Sequence, residues 1–434
     1  MQSSVPEFAV REAPAAGARR ALVLLLLINL FNYVDRSILY SVADVVQGEY
    51  QISKATFGWL VTAFLLTYML LSPIFGWLGD RGSRWVIVGI GVIVWSLASG
   101  ASGLAQTYTL MLLTRCLIGV GEAAYGPIAP TIISDLYPVS IRGKVLAWFY
   151  AAIPVGSALG YVVAGPFAHP GKWHYAFLLT IPPGIILGVW CFFMRDPPRG
   201  QVEGAHQAAG AKKVKLSDYV SLLRIKSYVL NCLAMTAMTF AIGGVAAWMP
   251  SYLTADRGLP PERANLGLGL IVVVAGFLAT LAGGKAGDAL RGRVRGSYFL
   301  VSGAGMLLGF PMFLLVLVTP FPHCWAVIFV AVFFLFFNTG PSNTALANTT
   351  PAEVRATAFA LNILVIHLFG DAISPPLIGM VADRTSTAIG FAVISVMMLI
   401  GGVIWLLAAP HLDADTAAAA TVSSAVSASP EMGP

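Results

Sequence analysis

What most constrains this chain is the recurrence of apolar windows about 20 residues long, the length a ~30 Å hydrocarbon core demands of a helix. They fall near 20–44, 57–79, 85–104, 109–134, 143–167, 174–194, 227–253, 264–288, 297–319, 323–348, 355–381 and 387–409. Lipid offers no partner to a bare peptide group, so only helices and closed barrels cross it. Period-two alternation is absent, which removes the barrel. The reading is an all-α membrane protein with twelve transmembrane helices. Hydrophobic residues at 57% against charged residues at 11% exclude a soluble globular protein. The first run follows Arg19 and Arg20 but is too long for a signal-peptide core and lacks an A-x-A cleavage pattern, so it is expected to stay as the first helix.

The net charge of +6 follows topology rather than nucleic acid, because lysines and arginines fall in alternate loops. With the N-terminus inside, cytoplasmic segments hold Arg19, Arg20, Arg81, Arg84, Arg142, Lys144, Arg291, Arg293 and Arg295 among others, while external loops hold only Lys54, Lys172, Arg257, Arg263 and Arg384. Both termini are therefore expected in the cytoplasm. Residues 1–18 read as a cytoplasmic tail, 19–195 as an N-terminal six-helix half, 196–226 as a cytoplasmic linker, 227–411 as a C-terminal six-helix half, and 412–434 as an Ala/Ser-rich tail too poor in large apolar residues to fold. Cys116, Cys191, Cys232 and Cys324 lie singly in apolar segments without metal-ligand spacing and are expected to pack.

The halves repeat one another. GWLGDRGSRW, with Gly76, Asp80, Arg81 and Arg84, follows the second helix; GKAGDALRGR, with Gly284, Asp288, Arg291 and Arg293, follows the eighth. At a similar offset Pro138 to Arg142 (PVSIR) recurs as Pro351 to Arg355 (PAEVR). The loop pattern G-x-x-x-D-R-x-x-R, its degenerate copy and the six-plus-six layout resemble the major facilitator superfamily. That resemblance implies two pseudo-symmetric halves and a charge clamp in which Asp80, Arg81 and Arg84, with Asp288 in the copy, close the cytoplasmic base of the outward-facing state. NYVDRSIL, RCLIGVGEAAYGPIAPTIISDLYP, FYAAIPVGSALGY and RATAFALNILVIHLFGDAISPPLIG resemble the Spinster branch, and the compact tails look more like a bacterial relative, hence an inner-membrane protein. The resemblance implies transport of lysophospholipids or sphingosine phosphate, and proton coupling.

The first helix carries Asn29, Asn32, Asp35 and Arg36 amid leucines. An ionised group mid-membrane costs roughly 2.5–3.5 kcal/mol on insertion scales, so such residues face a bundle interior or a wet cavity. Arg115, Gly119 and Glu122 share a stripe of the fourth helix, yet Arg115 and Glu122 lie about 10 Å apart along its axis and need partners elsewhere. Similar depth makes Asp35 with Arg115 the first expected cross-helix pair. Asp35 and Glu122 are the candidate proton-coupling groups, with Glu122 the better one provided no cation lies close. Arg36 and Arg115, with His367 and Asp371 one turn apart in the eleventh helix, are the candidate substrate ligands, since an uncompensated guanidinium accepts a phosphate or carboxylate headgroup. A static charge lock between helices, and for His367 a packing hydrogen bond, are the alternatives.

Gly156, Gly160 and the Gly165-Pro166 pair suit a bending or rocking interface, but they depart from the glycine-proline-glycine pattern of antiporters in the superfamily, so antiport does not follow. Phe240, Trp248, Met249, Tyr252, Phe333, Phe334, Phe336 and Phe337 give the seventh and tenth helices an aromatic character that suits an amphiphile if they line a cavity. No P-loop, nucleophile elbow or zinc-ligand spacing occurs, so no enzyme activity, metal or cofactor is assigned. The expectation is a monomeric, proton-coupled secondary transporter of an amphipathic anionic lipid, in contact with membrane lipids and not with nucleic acid. A carrier of a small organic anion or sugar phosphate, and a lipid sensor that does not transport, stay open.

Overall fold

The computed structural model describes residues 14–198, 220–350 and 354–428. Pro351 of the second P-x-x-x-R motif and most of the expected linker lie outside the described residues. Among those described, every regular element is helical, and eleven helices are long and apolar enough to cross a membrane. The fourth expected segment, 109–134, is broken into two short helices. Gly126, Pro127 and Pro130 explain the break, since proline removes a backbone donor and crowds the preceding turn.

The elements divide into two compact units, one of residues 1–50 and 63–212 and one of 51–62 and 213–434. The first contains α1 (Ala18–Ser41), α2 (Ala43–Tyr50), the later part of α3 (Lys54–Arg81), α4 (Arg84–Ser102), α5 (Tyr108–Ala123), α6 (Ala129–Leu136), α7 (Val139–Ala164), α8 (Trp173–Leu178) and α9 (Ile181–Phe192). Its most extensive pairing sets α1 along α7. Backbones meet there: a Cβ on Gly156 would lie 2.3 Å from the Leu30 carbonyl oxygen, and one on Gly160 2.5 Å from that of Val34. Small residues permit such approach in lipid, where packing rather than hydrophobicity drives helix association. The two glycines of the expected rocking interface thus form the tight seam between α7 and α1.

The second unit contains α10 (Lys226–Ser251), α11 (Pro261–Leu290), α12 (Ser297–Val318), α13 (Cys324–Phe336), α14 (Thr339–Thr349), α15 (Arg355–Ile366), α16 (Ser374–Arg384) and α17 (Thr387–Ala428). α17 packs on both α10 and α12. Residues 54–62 of α3 group here, a membership that a boundary between 195 and 227 does not capture. The Asp383 carboxylate accepts the Lys54 and Ala55 N–H groups at 3.0 and 2.9 Å, while Ser53 Oγ accepts the Thr56 N–H at 3.1 Å, so the first N–H groups of the helix are satisfied. Thr62 Oγ1 donates to the Ala372 carbonyl at 2.5 Å.

Two expectations change. α17 runs through Ala428, whereas 412–434 reads as an unfolded tail. Alanine has the highest helix propensity, and a run continuing an existing helix needs no nucleation. Aromatics of α10 and of α13 with its following residue contact neighbouring elements and one another: Trp248 Nε1 donates to the Pro375 carbonyl at 3.0 Å, and the rings of Phe333, Phe334 and Phe337 meet edge-on or tilted at 5.5 to 6.1 Å.

Candidate functional site

The polar stripe of α1 resolves into two faces, because consecutive helix residues point about 100° apart. On one face lie Asn29, Asn32, Tyr33 and Arg36. They line a cavity of about 90 Å³ inside the first unit, together with Tyr68, Glu122 and Tyr125. Glu122 comes from α5, and its Oε2 accepts from Arg36 Nη2 at 2.5 Å and Nε at 2.9 Å. The carboxylate is buried, at 1% exposure, while Arg36 keeps 20%. The guanidinium carbon also lies 4.9, 4.7 and 5.5 Å from the ring centres of Tyr33, Phe64 and Tyr68, an aromatic surround that favours a cation by its quadrupoles. Asn29 Nδ2 donates to the Phe149 carbonyl at 2.7 Å and fixes α1 against α7 beside the cavity.

Asp35 turns to the other face and meets α4. Ser99 Oγ donates to its Oδ1 at 3.3 Å and accepts from Thr180 Oγ1 at 3.2 Å. The second oxygen, Oδ2, has no hydrogen-bond partner among the described residues. The expected Asp35–Arg115 ion pair does not form: Arg115 Nη2 donates instead to Ser102 Oγ at 2.5 Å, and Ser102 to Thr114 Oγ1 at 2.8 Å. Ser99 and Ser102 stand one turn apart on α4, so this helix holds both charges without bringing them together. Arg115 is buried, 5.3 Å from the Phe177 ring centre, and does not line the Arg36 cavity. The condition placed on Glu122, absence of a close cation, also fails. The nominally neutral quartet is one tight pair, Arg36–Glu122, and two separately held ions.

The hydroxyl relay of Ser99, Ser102 and Thr180, and the rings around Arg36, have little sequence signature. Tyr33 precedes Arg36 by three residues and so shares its face. Phe64 and Tyr68 come from α3 and depend on how that helix is rotated.

In the second unit, His367 and Asp371 close a single π-helical turn, His367–Asp371, with Nδ1 2.9 Å from Oδ2. A π turn widens the helix by one residue and often marks a functional segment. Gly243 of α10 lies against it; a Cβ there would sit 2.7 Å from the Asp371 Cα. The pair is partly exposed, so the imidazole is held by the carboxylate with its other nitrogen directed elsewhere.

Of the residues expected at the gate, Gly76 lies in α3, and Arg81 sits over the Trp77 ring at 4.3 Å on the surface. The Asp80 side chain lies outside the described residues. Asp288 accepts from the Tyr298 hydroxyl at 2.8 Å. Arg84 is buried and fully committed within the first unit: Nη1 pairs with Asp135, Nε donates to Asp196 Oδ1 at 2.9 Å, and Nη2 to the Pro197 carbonyl at 2.6 Å. It therefore ties the start of α4 to α6 and to the segment after α9. Arg84→Ala leaves two carboxylates without their cation and is expected to destabilise the protein by about 3–5 kcal/mol, read as a lower unfolding midpoint in detergent. An unchanged midpoint would contradict that structural role.

A family model described as Major Facilitator Superfamily matches residues 25–370. The chain is 35% identical over 381 residues to Protein spinster homolog 1 of Xenopus tropicalis, covering 84% of this chain and 72% of that protein. It is 33% identical over 373 residues to Protein spinster of Drosophila melanogaster, covering 83% and 61%. Among solved structures, a bacterial homologue of the human lysosomal transporter Spinster, inward-facing and unoccupied, superposes with a TM-score of 0.79 at 19% identity, covering 94% of this chain and 99% of the other. The D-xylose-proton symporter gives 0.72 at 16% identity, covering 90% and 98%. At those identities the two structures speak to fold alone.

Proposed function

Because this chain belongs to the Spinster branch of the major facilitator superfamily, we propose that it is a secondary active transporter, working by alternating access and driven by protons, for a lysophospholipid-like or other amphipathic anion. The observation that carries the reading is the Arg36–Glu122 pair at the wall of a cavity. While Glu122 is ionised it occupies the guanidinium. Once protonated it leaves Arg36 uncompensated among aromatic rings, ready to take a phosphate or carboxylate in bidentate geometry. Proton uptake and anion binding are then the same event at one arginine.

Asp35 is the second titrating group in this proposal. It has no cation within ion-pair distance among the described residues, so a change in its protonation alters the charge of that site without local compensation. Arg115 acts as its background countercharge across α4 and not as a headgroup ligand. His367, oriented by Asp371, supplies a contact to the substrate from the second unit. Gly76, Asp80, Arg81, Arg84 and Asp288 work at the cytoplasmic base, the halves are 19–195 and 227–411, and both termini lie in the cytoplasm of an inner-membrane monomer. The small volume beside Arg36 favours a second reading, a carrier of a small organic anion or sugar phosphate.

Flux in proteoliposomes decides between them. Lysophospholipid movement that depends on an imposed pH gradient supports the first reading, and sugar-phosphate movement alone the second. Movement of neither, with lysolipid still bound, supports a sensor. In the same assay Asp35→Asn is expected to fold normally and to flatten the pH profile of uptake. A wild-type profile in that variant removes Asp35 from the proton path.

A further inference from the structure

Transport as proposed uses no residue of the loop between α11 and α12. There the chain reads Leu290, Arg291, Gly292, Arg293, Val294, Arg295, three arginines alternating with small or apolar residues. All three are exposed, and the guanidinium groups of Arg293 and Arg295 have no ion-pair or hydrogen-bond partner among the described residues. With the first turn of α12 and part of α17 they line a cavity of about 570 Å³ inside the second unit. The α17 wall is the helical extension past residue 411, the stretch that reads as a tail.

The charge balance of the lining is one-sided. Against three guanidinium groups it holds a single acid, Asp413, whose carboxylate accepts the Gly296 N–H at 3.3 Å. Asp288, outside the lining, accepts from the Tyr298 hydroxyl at 2.8 Å, and Tyr298 also interacts with Arg291. Three guanidinium groups against one acid leave the lining with an excess of positive charge, which favours entry of an anion. The cavity is several times larger than a lone inorganic anion and falls within the range of small-molecule sites. It also lies where two membrane spans end, with Leu290 exposed just before the arginines and Val294 between two of them. Apolar side chains at that level contact acyl chains while guanidinium groups reach the headgroups.

We propose that this cavity binds the phosphate of an anionic phospholipid from the surrounding leaflet, as a ligand that is held and not transported. Arginine suits the role because its planar fork meets two phosphate oxygens at once. The test is equilibrium binding to the full-length protein, delipidated in neutral detergent, with bound lipid counted by native mass spectrometry. The probes are phosphatidylglycerol, phosphatidylcholine and inorganic phosphate.

The tightest phosphatidylglycerol equivalent is expected to be preferred over phosphatidylcholine. It should weaken roughly 25-fold in the double variant R293Q/R295Q, at about fivefold per juxtamembrane arginine. D413N removes the acid of the lining yet keeps an oxygen for the Gly296 N–H, so it should tighten binding. Equal binding of the two lipids, an unaltered affinity in R293Q/R295Q, or weaker binding in D413N overturns the proposal. Inorganic phosphate binding as tightly as the lipid overturns the assignment to a headgroup. Because the readout is binding without flux, its failure is distinct from failure of the transport reading.

Discussion

The Glu122→Gln substitution is expected to abolish gradient-driven accumulation of substrate while leaving the protein folded. Glutamine keeps the shape of the side chain and an oxygen that can accept from Arg36, but it cannot be ionised and so cannot release or recapture a proton. Exchange of substrate across the membrane without a pH gradient should persist, because Arg36 is then permanently free for the anion. The measurement is paired uptake and counterflow in proteoliposomes. Gradient-driven uptake at the wild-type level would sink the assignment of Glu122 to proton coupling.

The second large effect is on stability as well as transport. Arg36→Met removes the cation from a carboxylate that is almost wholly buried, and it should cost about 3–5 kcal/mol, the usual penalty for breaking a buried pair from one side. Adding Glu122→Gln to the same chain should restore most of that loss, since the stranded charge is gone, while anionic-substrate binding stays absent. A thermal unfolding series of wild type, the two single variants and the double variant yields the coupling directly. Additive losses in the double variant would mean that the ion pair contributes nothing beyond its two side chains.

How much of this was legible in the residues can be judged position by position. The helical membrane class follows from the apolar windows alone, and the functional candidates follow from charges that lipid does not tolerate without a reason, as at Asp35, Arg36, Arg115 and Glu122. Their pairing did not follow. Depth along an axis can be counted at 1.5 Å per residue, but which neighbour a side chain faces depends on helix rotation and on what stands between. Ser99 and Ser102 intervened for Asp35 and Arg115. The same limit hid Phe64 and Tyr68. The break between α5 and α6 could have been read from Gly126, Pro127 and Pro130, and the extension of α17 from its alanines; hydropathy windows are blind to both.

One consequence follows from the adjacency of Asp35 and Arg36 on α1. Being neighbours on one rigid spiral, they form the two arms of a lever whose axle is the helix axis. The seam at Gly156 and Gly160 leaves little clearance for sideways travel of α1 against α7, so twisting about that axle is the freer motion. A twist that draws Arg36 away from Glu122 swings Asp35 relative to Ser99 by the same angle. Two chemically separate contacts on different faces of α1 are thereby geared together, and neither can be reset by such a twist without turning the other.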